Sequence, residues 1–231
     1  MDLKGQLFCV LKIFFAPVKV FNKIKDREKG FFWILPLLII IIITIVYSRM
    51  ILSEIVIPEQ LEMIPEQVEG QEGVESWQQY VSSSYHFVSS IFTEVAKQLL
   101  SFMILAYIIC WLPRFFGGDK PGYGTVFTGV VYTGMIRSLG LLIEGTVQVS
   151  QTSLEAGWNL AAIFTEVSGL GYHVLRSVSL FNFWQALLLA VMLSVFYGYS
   201  KKKSFFIIFI LWSLWIMAAA YFSNLRDVYN K

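Results

Sequence analysis

"LFNFWQALLLAVMLSVFYGY" occupies residues 180–199, and "SFFIIFILWSLWIMAAAYF" occupies 204–222. A tight turn holding Lys201, Lys202 and Lys203 separates them. An α-helix rises ~1.5 Å per residue, so each run is long enough to cross a hydrocarbon layer of roughly 30 Å. Backbone N–H and C=O groups find no water in lipid, so both runs must satisfy them internally as helices. Two apolar helices joined by a turn form a hairpin across the bilayer. Three lysines at its tip mark that tip as cytoplasmic, because basic residues accumulate on the cytoplasmic side.

Further runs fit the same reading. "FFWILPLLIIIIITIVY" covers 31–47, with Pro36 either kinking the helix or standing near its first turn. "LLSFMILAYIICWL" covers 99–112 and extends backwards to about residue 94,. "TVFTGVVYTGMIRSLGLLIEG" covers 125–145 and is interrupted by Arg137 and Glu144. Of the 231 residues, 56% are hydrophobic and 15% charged, and the mean hydropathy is +0.63. A soluble domain carries about a quarter charged residues. The expected fold is therefore an all-α polytopic membrane protein with five transmembrane helices, over 31–47, 94–112, 125–145, 180–199 and 204–222.

Charge orients these spans. Residues 1–30 hold Lys4, Lys12, Lys19, Lys23, Lys25, Arg27 and Lys29; loop 113–124 holds Arg114 and Lys120. With the lysine triplet, these regions alternate onto one side and carry twelve of the eighteen basic residues. The acidic loop 48–88 has seven glutamates and a single basic residue, Arg49, and falls on the opposite side. The N-terminus is thus expected in the cytoplasm and the C-terminus outside, with 146–179 forming outer interfacial helices and 223–231 a tail. The first apolar run lacks a small-x-small cleavage site and reads as an uncleaved anchor.

The segment 1–30 reads as amphipathic. Leu3, Leu7, Val10, Leu11 and Phe14 recur at helical spacing, with lysines on the other face. That pattern fits a helix lying on an anionic leaflet, or one docking on a partner subunit. The acidic loop repeats "IPEQ" at 57–60 and 64–67, and lacks the Asp and Asn spacing of a calcium loop,. The pentapeptide "IFTEV" occurs at 91–95 and again at 163–167. On the five-span topology both copies lie outside, and they are read as interfacial anchors with Glu94 and Glu166 as candidate partner contacts.

No catalytic, cofactor-binding or metal-binding constellation is visible. His86 and His173 have no HExxH or cysteine partner,. "GGDKPGYG" (117–124) lacks the GK[ST] of a phosphate loop and reads as a tight turn,. Cys9 and Cys110 make no disulfide framework,. The chain is expected to be no enzyme, to need no cofactor and to bind no nucleic acid. Arg137 and Glu144 stand two turns apart on nearly one face of span three, either lining a polar seam or pairing structurally. Gly129, Thr133, Gly134 and Ser138 favour close helix packing there, which makes span three the candidate centre of the bundle.

Certain segments carry a resemblance: "FFAPVKVFNKI" before the first span, "FFGGDKPGYGTVFTGVVYTGM" joining spans two and three, and the terminal hairpin. Over most of residues 14–220 the chain resembles the Yip domain family in its bacterial branch. Pro17, Phe21, Gly117, Gly118 and Trp184 fit the family pattern; Ile136-Arg137 stands where members often carry a proline. The resemblance implies a Yip-like membrane domain over 31–222 in a bacterial cell membrane. It further implies an accessory subunit of an ABC-type exporter, working with permease/ATPase and membrane-fusion-type subunits in protection against an amphipathic toxic peptide. The alternative is a self-contained membrane protein that handles lipid or a small solute or organises the membrane.

Overall fold

The computed structural model describes residues 3–26, 32–62, 70–81, 83–154, 156–164 and 167–229. In chain order its helices are α1 (Leu3–Lys12), α2 (Pro17–Lys25), α3 (Ile34–Ile51), α4 (Ile57–Glu62), α5 (Gly70–Val81) and α6 (Ser84–Trp111). There follow α7 (Pro113–Phe116), α8 (Tyr123–Ser150), α9 (Gly169–Ser177), α10 (Leu180–Tyr197) and α11 (Lys201–Tyr229). The described residues form no β-strand.

Among the described residues, five helical stretches are long and apolar enough to cross a membrane: Ile34–Gln60, Ser84–Trp111, Tyr123–Ser150, Leu180–Tyr197 and Lys201–Asp227. Several extend past the apolar blocks seen in the sequence. The first continues beyond Tyr47 through a π-helical turn, Leu52–Val56, into α4, so much of the expected loop 48–88 is helical where it is described. Pro36 lies in the first turn of α3, where a missing N–H costs no helical hydrogen bond.

The chain divides into two compact units. The first comprises Met1–Ile39, Phe102–Arg137 and Trp158–Lys231. Its framework is α10, packed on α2 and α11, with α11 also packed on α9. Ser179 caps the start of α10, its Oγ accepting from the Asn182 N–H at 3.2 Å, an arrangement worth about 1 kcal/mol. Gly198 ends the helix in the left-handed conformation at φ +68°, which glycine adopts without a Cβ penalty. Phe21 of α2 meets Phe196 of α10 edge-on, centroids 5.8 Å apart. Phe32 stacks on Tyr132 at 6.1 Å, and Trp33 meets Phe127 at 5.7 Å. On α8, a Cβ added at Gly129 would lie 2.4 Å from Met192 Sδ and 2.7 Å from the Phe196 ring. The absence of a side chain there lets α8 and α10 approach.

The second unit comprises Ile40–Ser101 and Ser138–Gly157. Here the Tyr47 hydroxyl donates to Gln148 Oε1 at 3.2 Å. A Cβ at Gly145 would lie 2.5 Å from the end of Met50, so α3 and α8 also approach at a glycine. Trp77 Nε1 donates to the Gln60 carbonyl at 3.3 Å, holding α5 against α4.

The expected amphipathic N-terminal segment forms two helices. Gln6, Cys9, Val10 and Ile13 are buried along α1 and just past it, as are Val20, Phe21 and Ile24 on α2. Leu7 and Leu11, expected on the same apolar face as Val10, are exposed instead.

Candidate functional site

The segments that carried the family pattern converge in the first unit. Loop 117–122 follows α7, and Gly117 and Gly118 adopt φ +68° and +101°. These left-handed values favour glycine. At Gly118 a Cβ would also lie 2.5 Å from Tyr199 Cε1 and 2.7 Å from the Tyr197 carbonyl oxygen. The loop thus presses against the end of α10, and the Asp119 N–H donates to the Tyr197 carbonyl at 3.1 Å.

Around this contact a polar network joins three parts of the chain. Lys25, the last residue of α2, donates from Nζ to Asp119 Oδ2 at 3.0 Å and to the Val195 carbonyl at 2.9 Å. Tyr197 donates its hydroxyl to the Ile109 carbonyl at 2.9 Å, in a buried setting. The Tyr199 hydroxyl donates to the Gly117 carbonyl, and Tyr197 and Tyr199 stack at 5.5 Å. Lys203 Nζ donates to the Phe116 carbonyl at 2.6 Å and stands 4.4 Å from the Tyr199 ring centroid. Partial burial pushes the Tyr199 phenol above its ordinary pKa, because desolvation disfavours the phenolate. The group therefore stays a donor. The Lys25–Asp119 pair is solvent-accessible at both ends and is worth no more than about 1 kcal/mol. The buried donors and the glycine contact contribute more to holding the junction.

This cluster can hold the N-terminal helices, the loop after α7 and the α10–α11 hairpin in one arrangement. A second polar contact lies at the far end of α11, where buried His173 Nε2 meets Asp227 Oδ2 at 3.1 Å.

The other expected site residues scatter. Pro17 occupies the first turn of α2, and Trp184 meets Phe14 with centroids 6.3 Å apart. Gly134 is buried and Arg137 half-buried on α8 in the first unit. Ser138, buried, and Glu144, half-buried, lie on α8 in the second unit. Glu94 is exposed on α6 and pairs with Lys97 at 2.8 Å. Glu166 lies outside the described residues. The two "IFTEV" copies differ in backbone: the first is inside α6, while Ile163, Phe164 and Val167 lie outside any α-helix. No group of three or more His, Cys, Asp or Glu that could hold a metal occurs among the described residues. Asp119, Tyr197 and Tyr199 were not singled out from sequence, and Lys25 and Lys203 entered only as charges that orient the spans. The positive-φ glycine pair facing a Tyr-Gly-Tyr turn is the signal that points to them.

No curated protein and no solved structure matches the chain. The family model described as the Yip1 domain matches residues 11–222, a stretch that includes α2, the glycine loop and the terminal hairpin. The chain is a multi-pass membrane protein and belongs to the Yip1 domain family.

Proposed function

We propose that this protein is a non-enzymatic accessory subunit of a larger membrane assembly, offering helix faces to partner subunits. The observation that carries this reading is the contrast between two spans. Of the most apolar 18-residue stretch of α8, 67% is buried inside the protein, whereas on α6 the share is 11%. The exposed face of α6 includes Leu100, Ile104, Tyr107 and Trp111. Close van der Waals packing and interhelical hydrogen bonds drive helix association in lipid. The exposed face of α6 supplies a packing surface, and Tyr107, 56% exposed, a hydroxyl for a hydrogen bond. An ABC-type permease with its ATPase and a membrane-fusion-type subunit is the partner set that the sequence resemblance favours, in a bacterial plasma membrane and with export of an amphipathic toxic peptide as the output.

A photo-crosslinking residue placed at Tyr107 in whole cells should capture a membrane subunit of that exporter. The same residue at buried Ile109 should capture none. Adducts with lipid alone at Tyr107, together with exporter assembly unchanged in a deletion strain, would refute the proposal.

A second reading rests on Arg137 and Glu144, ionisable groups carried within a membrane-length helix. Intramembrane charges commonly mark a polar path. On this reading the chain handles lipid or a small solute by itself. Full activity of an Arg137→Ala/Glu144→Ala double variant would eliminate it.

A further inference from the structure

The outward side of α1 has a composition that its inward packing does not account for. At ~3.6 residues per turn, Gln6, Cys9 and Val10 occupy one arc of the helix, and Lys4, Leu7, Phe8, Leu11 and Lys12 the opposite one,. The first arc is buried in protein. The second is exposed and mostly apolar: Leu7 is 51% exposed, Leu11 62%, and Phe15 just beyond the helix 89%. A helix apolar on both sides needs something to cover the outer one.

Charge identifies the cover. Lys12 Nζ stands 4.4 Å from the Phe8 ring centroid, and Lys23 Nζ, from α2, stands 5.0 Å from the same centroid. Two ammonium groups are thus gathered at one ring, less than a Debye length of ~10 Å apart. Among the described residues neither forms a salt bridge. An anion held close to both would relieve their mutual repulsion. An acidic phospholipid meets both needs at once, with its phosphate at the lysines and its acyl chains along Leu7, Leu11 and Phe15.

We infer that α1 and α2 together form a binding site for an anionic phospholipid, its headgroup held by Lys12 and Lys23 beside Phe8. The site differs from a helix merely resting on a charged surface, because it needs a lysine from each of two helices. It is also independent of any exporter role.

The test uses the full-length protein in a neutral maltoside detergent, with retained lipid read by native mass spectrometry. Dioctanoyl phosphatidylglycerol, dioctanoyl phosphatidylcholine and inorganic phosphate are titrated separately. Phosphatidylglycerol should bind, and the Lys12→Gln/Lys23→Gln pair should weaken it about 25-fold, at roughly fivefold per lysine. Lys12→Arg/Lys23→Arg should retain it. Equal retention of phosphatidylcholine would overturn the site, as would phosphate binding as tightly as the lipid, or undiminished phosphatidylglycerol binding by a folded glutamine pair. If the glutamine pair unfolds, Leu11→Ser/Phe15→Ser, at exposed positions, decides the matter: weakened lipid retention supports the site, and unchanged retention overturns it.

Discussion

Gly118 is the residue at which backbone conformation and packing make the same demand. Its φ of +101° is unfavourable for any side chain, and a Cβ would also sit 2.7 Å from the Tyr197 carbonyl. Gly117 has a positive φ as well, but open space where its Cβ would go. The two glycines therefore separate strain from clash. Gly117→Ala, at φ +68° and ψ −164°, should cost about 1–3 kcal/mol of stability from conformation alone. Gly118→Ala should cost more, roughly 2–4 kcal/mol, since the loop must also move off α10. Thermal unfolding of both variants in mild detergent measures the difference, and equal losses would mean that the Tyr197–Gly118 contact carries no energy. The glycine pair was legible in the sequence as a tight turn. That it presses on the Tyr-Gly-Tyr end of α10 was not, because some eighty residues separate the two.

Among the elements, α11 begins against its own electrostatics. Lys201, Lys202 and Lys203 form its first turn, where the helix dipole presents partial positive charge and each cation costs about 0.3–1 kcal/mol. Lys203 offsets this by donating to the Phe116 carbonyl and lying over the Tyr199 ring. Membrane topology explains why lysines are tolerated there: a hairpin tip rich in lysine stays out of the bilayer. At the helix pair α8–α10, Gly129 sets the separation. Gly129→Val should destabilise the protein by about 1–3 kcal/mol through overpacking against Met192 and Phe196, read as a lower melting temperature. Retention of stability by Gly129→Val with Met192→Ala would locate the clash at the methionine. The two "IFTEV" segments make the complementary point: the first copy is helical within α6, whereas Ile163, Phe164 and Val167 of the second lie outside any α-helix. Five residues cannot nucleate a helix on their own, so the flanking chain decides.

For the molecule as a whole, the alternation of charge along the sequence leads us to expect the lysine triplet and the glutamate-rich segment on opposite sides of the membrane. In intact cells a membrane-impermeant maleimide should label Glu75→Cys and spare Lys202→Cys. Labelling of both from one side would break the five-span alternation. Both positions are exposed; Cys9 is buried and Cys110 half-buried, so the labelling is done in a Cys110→Ser background. Class, span number and the approximate place of each span followed from the sequence alone, because crossing lipid requires long unbroken apolar helices and the chain cannot conceal them. Tertiary packing decided the rest. It chose Gln6, Cys9 and Val10 as the inner side of α1 and left Leu7 and Leu11 outside, although Leu7, Val10 and Leu11 recur at the spacing of one helix face. It also brought Lys25, Asp119, Tyr199 and Lys203 together from distant parts of the chain. Hydrophobic periodicity says which residues avoid water. Only the neighbouring helices determine which of them meet protein and which remain for lipid.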